Sequence, residues 1–222
     1  MKTSSLIRLP LLAVILSLGT TGCAIFQKSS TPDATKPVGG KALNIIQFRN
    51  DVQATRTAIS RTTDALGRLS GAPNPQDAYA SYNTELTTLS QLIDKTSRES
   101  AEVRNSGKAL FTEWEKETLS IKNPDIRAVA DARRLKLQTA YGEMITPLIN
   151  ARANFTPLLG DLTDLRKAIA LDLTPAGIQA VQPLIATVNK EADTTIKSLD
   201  ALAAKLDNIA AALPPPTVAP AK

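Results

Sequence analysis

The spacing of apolar residues between positions 42 and 213 constrains the fold more than any other feature of this chain. Aliphatic and aromatic side chains recur at alternating intervals of three and four, in stretches that end near Leu69, Ile121, Ile169 and Leu213. This spacing repeats one face of an α-helix, and a sustained seven-residue period makes packed helices supercoil around one another. The sequence therefore predicts an all-α fold of four long helices.

The links between the predicted helices are short and carry helix-start residues. Asn74, Asn123 and Thr174 each precede a proline. A side-chain oxygen at this N-cap position accepts hydrogen bonds from the free amides of the first turn, and a proline just after it loses no helical bond. Short links hold consecutive helices side by side in opposite directions. We therefore expect an elongated antiparallel up-down helical bundle with coiled-coil (heptad) packing over residues 42–213.

Three prolines interrupt the periodic segments, namely Pro147, Pro157 and Pro183. Each removes a backbone hydrogen bond and crowds the preceding turn, so each kinks or breaks its helix. The heptad phase continues across all three, which favours kinks over breaks. Pro157, with Gly160 close behind, is the strongest candidate for a true break.

The first 23 residues have the pattern of an export leader. Lys2 and Arg8 precede about ten apolar residues, which is too short a stretch to span a bilayer. Residues 18–23 then read Leu-Gly-Thr-Thr-Gly-Cys. This pattern resembles the lipobox of bacterial lipoproteins, although Thr20 stands where a leucine is usual. The resemblance implies a signal peptide of residues 1–22 and acylation of Cys23; the alternative is an ordinary secretory signal with an incidental cysteine.

The lipobox resemblance also implies a location. Several acyl chains on Cys23 would anchor the protein stably, at about 0.8 kcal/mol per buried methylene. Ala24 stands where lipoproteins retained in the inner membrane of many Gram-negative bacteria carry aspartate, which implies the periplasmic face of the outer membrane. Residues 23–41 are rich in Ser, Thr, Pro and Gly and predict a flexible tether, and residues 214–222 predict a disordered, proline-rich tail.

Composition argues against most reaction chemistry. The chain has no histidine and a single cysteine, which removes the usual general base and nucleophile pairs. Acylation of Cys23 would leave no thiol for zinc. The formal charge of +5 comes from interspersed acidic and basic residues and not from a basic stripe. We expect no catalytic residue, no cofactor, no metal site and no nucleic-acid partner.

Residues 110–117 read Leu-Phe-Thr-Glu-Trp-Glu-Lys-Glu, and Asp125-Ile126-Arg127 and Pro157-Leu158-Leu159 follow. Together they resemble an uncharacterised bacterial family of helical proteins that carries a Phe-x-Glu-Trp-Glu element. The likeness extends over about residues 103–213 and implies a fold and a location but no activity. The predicted anchor and the terminal Lys222 are also similar to the major outer-membrane lipoprotein of enteric bacteria, whose last lysine is joined to peptidoglycan; the tail here lacks the Tyr-Arg that precedes it there.

Two groups of residues are candidates for an interaction surface. The small residues Ser100 and Gly107 would let a partner helix approach closely, unless they only mark a thin core. Arg127, Arg133 and Arg134, with the neighbouring Lys136, form a basic cluster that could meet an anionic polymer or a lipid headgroup, unless they only solvate the surface.

Two further features lie beside this cluster. Trp114 is a further candidate for the interaction surface; it lies on the predicted apolar face and is best explained as a partly buried core anchor. Among Glu113, Glu115 and Glu117, the first and the last share a helix face and could be a carboxylate pair for acid-base work, but a solvated acidic face explains all three better.

The sequence supports two functional hypotheses. The first is a non-enzymatic, lipid-anchored periplasmic protein with a structural or adaptor role, partnered by an envelope protein or a second copy. It predicts a dry core and an exposed apolar groove. The second is a binding module in which kinks at Pro147 and Pro157 admit a lipid or another apolar ligand. It predicts an internal cavity near Met144 to Phe155.

Overall fold

The computed structural model describes residues 39–213, with side chains from Ile45 onward. This part of the chain is all-helical, as predicted. The predicted leader, Cys23, most of the tether and the tail from Pro214 lie outside the described residues. The five helices are α1 (Gly39–Gly67), α2 (Pro75–Ser120), α3 (Pro124–Leu171), α4 (Pro175–Ala180) and α5 (Gln182–Ala212). Helix α1 thus begins two residues before Lys41, the predicted end of the tether.

The three predicted N-caps are confirmed. The Oδ1 atom of Asn74 accepts hydrogen bonds from the second and third residues of α2, at 3.1 and 3.4 Å. The Oδ1 atom of Asn123 does the same for α3, at 2.9 and 3.2 Å. The Oγ1 atom of Thr174 accepts from the amide of Gly177 in α4, at 3.2 Å. Each cap acts within three residues of its own position, so the local sequence is sufficient to define these helix starts.

The prolines act differently from one another. Helix α3 runs unbroken through Pro147 and Pro157, so the expectation of a break at Pro157 is wrong. The break is at Val181, directly before Gln182 and Pro183, and the predicted fourth helix is therefore two helices, α4 and α5. Pro183 has no amide hydrogen to donate to the preceding turn, and it occupies the first turn of α5, where none is needed.

The core consists of the apolar faces of the four long helices. Helix α1 packs against α2 and α5, α3 packs against the same two helices, and α4 packs against α5. Every residue predicted on the apolar face of α1, from Ile45 to Leu69, is buried. The same is true of every residue predicted on the apolar face of α3 from Leu137 to Ile169. Three threonines, Thr55, Thr62 and Thr96, are buried among these apolar side chains.

The predicted face of α2 is correct only as far as Gly107. Beyond it the sequence predicts Leu110, Trp114 and Glu117 on the core side, whereas Phe111 and Thr118 are the buried residues and Glu117 is exposed. A straight helix with 3.6 residues per turn drifts away from a strict seven-residue repeat. Here the drift turns Phe111 into the core.

Polar contacts also join the helices. Arg49 and Arg56 of α1 pair with Asp207 and Asp200 of α5, at 2.9 and 2.6 Å. These pairs are partly exposed, so each contributes at most about 1 kcal/mol to stability. The hydroxyl of the fully buried Tyr82 donates a 2.6 Å hydrogen bond to the carbonyl oxygen of Leu162 in α3.

Candidate interaction surfaces on the second and third helices

Gly107 lies where a tyrosine of the facing helix needs its space. A Cβ atom at Gly107 would overlap the ring of Tyr141 in α3. The Tyr141 hydroxyl donates a hydrogen bond to the carbonyl oxygen of Val103, and its ring meets Phe111 edge-on with centroids 5.5 Å apart. Burial raises the pKa of Tyr141 to about 12. The close approach predicted at Gly107 is therefore made within the chain, to α3.

The other residues of the predicted surface are placed unevenly. Ser100 is buried and its hydroxyl donates to the carbonyl oxygen of Ser97 at 2.7 Å. Arg134 is buried too, and it donates to side chains of its own helix, Asp131 at 3.0 Å and Gln138 at 3.1 Å. In the single chain, Ser100 and Arg134 are therefore not exposed to a partner.

The remaining three lie further out. Trp114 is partly buried against the core, which agrees with its interpretation as a core anchor. Arg127 and Arg133 are exposed. Only these two arginines of the predicted set therefore present a full side chain to a partner.

A cleft of about 410 Å³ lies between α2 and α3, on the stretch of α3 that the two internal prolines bracket. Arg104 of α2 and Arg152 of α3 stand at this cleft, and neither forms an ion pair with another described residue. Leu148 and the exposed Ile149 supply its apolar side, and Ser100, Ala153 and Thr156 complete the lining. Two unpaired cations beside aliphatic side chains suit an anion that carries an apolar group.

Two clefts between α3 and α5 carry acidic side chains and no arginine. One, of about 270 Å³, is lined by Glu191 and Lys190, and another, of about 280 Å³, by Asp161 and Asp164. Burial, together with the charge of Asp161 and a hydrogen bond to it, raises the pKa of Glu191. The arginine pair thus distinguishes the cleft between α2 and α3.

The side chains predicted to surround a ligand are packed in the core. Met144, Leu148, Ala151 and Phe155 are all buried among other apolar residues. A void near them, at Gly107, measures about 20 Å³, and a cavity needs roughly 10–15 Å³ to hold one water molecule. It is too small for a lipid chain.

Helices α2 and α3 extend beyond their neighbours at one end. The small void is lined by one residue or more from each long helix, including Ile45, Gly107, Leu137 and Ile209. Helix α2 continues for 13 residues from Gly107 to its end at Ser120, and α3 begins 13 residues before Leu137, at Pro124. In contrast, α1 begins only six residues before Ile45, and α5 ends three residues after Ile209. At 1.5 Å per residue, α2 and α3 each extend about 20 Å from the void, α1 about 9 Å and α5 about 5 Å.

Residues 112–136, which we call the α2–α3 extension, are thinly covered as a result. Only Thr118 and Arg134 are buried there. Four of the eight large hydrophobic side chains exposed in the described part belong to it, namely Leu119, Ile126, Val129 and Leu135, with exposed fractions from 51% to 72%. The extension therefore carries apolar surface that the rest of the described chain does not cover.

A charged layer joins α1 and α2 away from these surfaces. Asp51, which is buried, accepts hydrogen bonds from Lys95 at 2.7 Å and from Gln47 at 3.1 Å. Burial, a hydrogen bond with Asp51 and the charge of that carboxylate raise the pKa of Glu99 to about 7. Although burial opposes it, hydrogen bonds from Glu99, Lys95 and Gln47 hold the pKa of Asp51 below its ordinary value.

The remaining candidates do not converge on a reaction site. Glu113, Glu115 and Glu117 are all exposed, as a solvated face requires. Among the residues with described side chains, no three acidic, histidine or cysteine side chains are grouped so that they could hold a metal ion. None of the described helices is long and apolar enough to cross a bilayer.

Residues 48–213 match the model of a family described as "Protein of unknown function (DUF2959)". The chain belongs to this family. No curated protein and no solved structure matches the chain. The family description assigns no activity, so the function of this DUF2959 protein has to be argued from its own residues.

Sequence reasoning missed two sites in this DUF2959 protein. Arg104 and Arg152 are 48 positions apart, and nothing local indicates that they share a cleft. Asp51 and Glu99 are also 48 positions apart. Asp51 directly precedes the apolar Val52 on a helix, and this position was a usable signal of its burial. Both sites depend on how separate helices align.

Gly107→Ala is expected to lower the free energy of unfolding by about 1–3 kcal/mol, because the new methyl group displaces Tyr141 from a filled site. Chemical denaturation of the full chain measures this change. Gly142→Ala in α3 is the matched control, since its methyl group meets open space and should stabilise the helix by about 0.5–1 kcal/mol. Equal effects at the two glycines would contradict the packing of Tyr141 against Gly107.

The raised pKa of Glu99 predicts a stability that depends on pH. The folded chain keeps this proton up to about pH 7, whereas the unfolded chain releases it near 4.5. The free energy of unfolding should therefore fall between pH 5 and pH 8, by about 1–2 kcal/mol once solvent screening is allowed for. Asp51 has a lowered pKa and acts in the opposite sense, in the more acidic range below this window.

Glu99→Gln should flatten this pH dependence, because the amide still donates to Asp51 but does not titrate. Denaturation at several pH values measures the slope. Glu102→Gln, at an exposed position on the same helix, should keep the slope of the unmodified chain. An unchanged slope in Glu99→Gln would show that Glu99 is not the group responsible.

Proposed function

We propose that this DUF2959 protein is a lipid-anchored, non-enzymatic helical-bundle protein of the bacterial periplasm, held to the outer membrane by acyl chains on Cys23. The lipobox-like residues 18–23 and the short apolar stretch before them support the anchor. Ala24 supports the outer membrane as the destination. The absence of histidine from the chain and the pairing of Asp51 with Lys95 support a structural role for its charged groups.

We infer that the four long helices form an antiparallel up-down bundle with heptad packing. Contacts between neighbours run in opposite numerical order: Arg49 and Arg56 meet Asp207 and Asp200, and Glu143 meets Lys205 while Asn154 meets Ser198. Burial at alternating intervals of three and four in α1, α3 and α5 supports the heptad packing.

The placement of the apolar side chains is the observation that supports a structural or adaptor role. Met144, Leu148 and Phe155 fill the core and leave no room there for a ligand, while Leu119, Ile126 and other large apolar side chains stand exposed on α2 and α3. Such a distribution suits a protein that acts through its outer surface. Its partners are the membrane and an envelope protein or a second copy, and Lys222 offers a contact with peptidoglycan.

Cys23→Ser should abolish both incorporation of labelled palmitate and recovery in the outer-membrane fraction, because the acyl chains have no other site. Expression of the full chain in a Gram-negative host, followed by membrane fractionation, measures both. Ala24→Asp is the matched variant: it should keep the label but move the protein to the inner membrane. A labelled Cys23→Ser protein, or an unlabelled wild type, would contradict the anchor.

A second candidate function rests on the cleft between α2 and α3. There Arg104 and Arg152, neither of which forms an ion pair with a described residue, stand beside Leu148 and Ile149. This arrangement suits a ligand with an anionic head and an apolar body, which makes the protein a binding module for a lipid-like molecule. The site is a surface cleft and not the internal cavity that the sequence predicted.

Calorimetric titration with short-chain dihexanoyl phosphatidylglycerol separates the two functions. A binding module should take up this lipid, and the double variant Arg104→Gln/Arg152→Gln should bind it at least about tenfold more weakly, since each charged contact contributes about 1.5–3 kcal/mol. The matched control is Arg61→Gln/Arg68→Gln, which removes two exposed arginines, one in α1 and one directly after its last residue. No binding by the wild type would exclude this lipid class as the ligand and favour the adaptor.

A further inference from the structure

We propose that the α2–α3 extension rests on the surface of the bilayer that holds the acyl chains of Cys23. This inference deepens the proposed function and rests on its lipid anchor. It assigns residues 112–136 as a membrane-contact surface whose partner is a bilayer of phospholipids with anionic headgroups.

The first argument is the direction of the extension. As residue numbers fall along α1, its neighbours in α2 rise: Thr55 lies beside Thr96, and Ile45 lies beside Gly107. The first residue of α1, Gly39, is therefore on the same side of the small void as Ser120. The chain leading back to Cys23 leaves the folded part at the end where the extension projects.

The second argument is reach. The extension continues about 20 Å past the void and α1 about 9 Å, so the extension projects about 10 Å beyond the start of α1. Fifteen residues separate Cys23 from Gly39. A chain of that length spans at most about 50 Å. The end of the extension therefore falls within the distance from the bilayer that the tether allows.

The third argument is side-chain chemistry. Leu119, Ile126, Val129 and Leu135 are exposed, and apolar side chains of this kind bury themselves at the boundary between headgroups and acyl chains. Exposed cations on the same segment form no ion pair with other described residues, and each contributes about 1 kcal/mol near an anionic surface; they are Lys122, Arg127, Arg133 and Lys136.

The charge balance decides which of these contributions dominates. The extension holds six basic and five acidic side chains, so its net charge alone would attract a bilayer weakly. Its cations lie mainly on α3, whereas Glu115 and Glu117 lie on α2. We therefore expect the apolar side chains to provide most of the contact, with the cations of α3 orienting it.

The chain's only tryptophan, Trp114, can be moved to test this contact. In a Trp114→Phe background, Leu119→Trp puts the reporter on the extension and Leu171→Trp puts it at the far end of α3, where Leu171 is 90% exposed. Both full-length, acylated proteins are reconstituted into vesicles of phosphatidylethanolamine and phosphatidylglycerol with brominated acyl chains. Fluorescence from Leu119→Trp should be quenched at least about twofold relative to unbrominated vesicles, and fluorescence from Leu171→Trp should be unchanged.

Two additional measurements keep the outcome decisive. Adding Ile126→Ser and Val129→Ser to the Leu119→Trp protein should remove most of the quenching while the protein still floats with the vesicles. Equal quenching at the two reporter positions in floating protein would overturn the membrane contact alone. Wild-type protein that does not float would instead refute the anchor. A blue shift that depends on protein concentration without vesicles would assign the surface to a second copy and overturn the proposal.

Discussion

The burial of one apolar face on each long helix is the interaction on which the remaining structure depends. Helices of 29 to 48 residues draw little stability from their own backbone hydrogen bonds, and packing of a continuous apolar face supplies most of it. The face is continuous enough in α3 to carry the helix across Pro147 and Pro157, where two backbone bonds are missing. Apolar contacts with α2 and α5 on both sides of each proline hold the helix in line.

The need to bury an apolar face also explains why α2 and α3 have few buried side chains at one end. Where all four long helices meet, every turn buries a side chain, and where α1 and α5 end only Thr118 and Arg134 remain covered. Trp114 stands at this transition, partly buried against the last of the core. The surface left uncovered at the extension follows from unequal helix lengths.

Charged groups take part in the fold in two distinct ways. Where carboxyl groups lie close together, as those of the buried Asp51 and the half-buried Glu99 do, a hydrogen bond between them and the charge of Lys95 offset the cost of burial, and the stability of the layer is expected to depend on pH. Where arginines stand at a surface without an ion-pair partner among the described residues, as Arg104 and Arg152 do, water solvates them and an anion can replace that water. The first arrangement ties α1 to α2, and the second leaves a place for a ligand between α2 and α3.

The sequence by itself determined the helix starts and most of the buried positions. Asn74, Asn123 and Thr174 cap through bonds that span three residues or fewer, and the spacing of apolar residues depends only on the geometry of one helix. Only the tertiary structure decided that Pro183 begins a helix while Pro157 lies inside one, and that Phe111 replaces Leu110 in the core. The tertiary structure likewise brought together two pairs of charged residues, Arg104 with Arg152 and Asp51 with Glu99. These outcomes depend on how distant helices align, and a neighbouring helix can outweigh a local preference because apolar burial per turn exceeds most local terms.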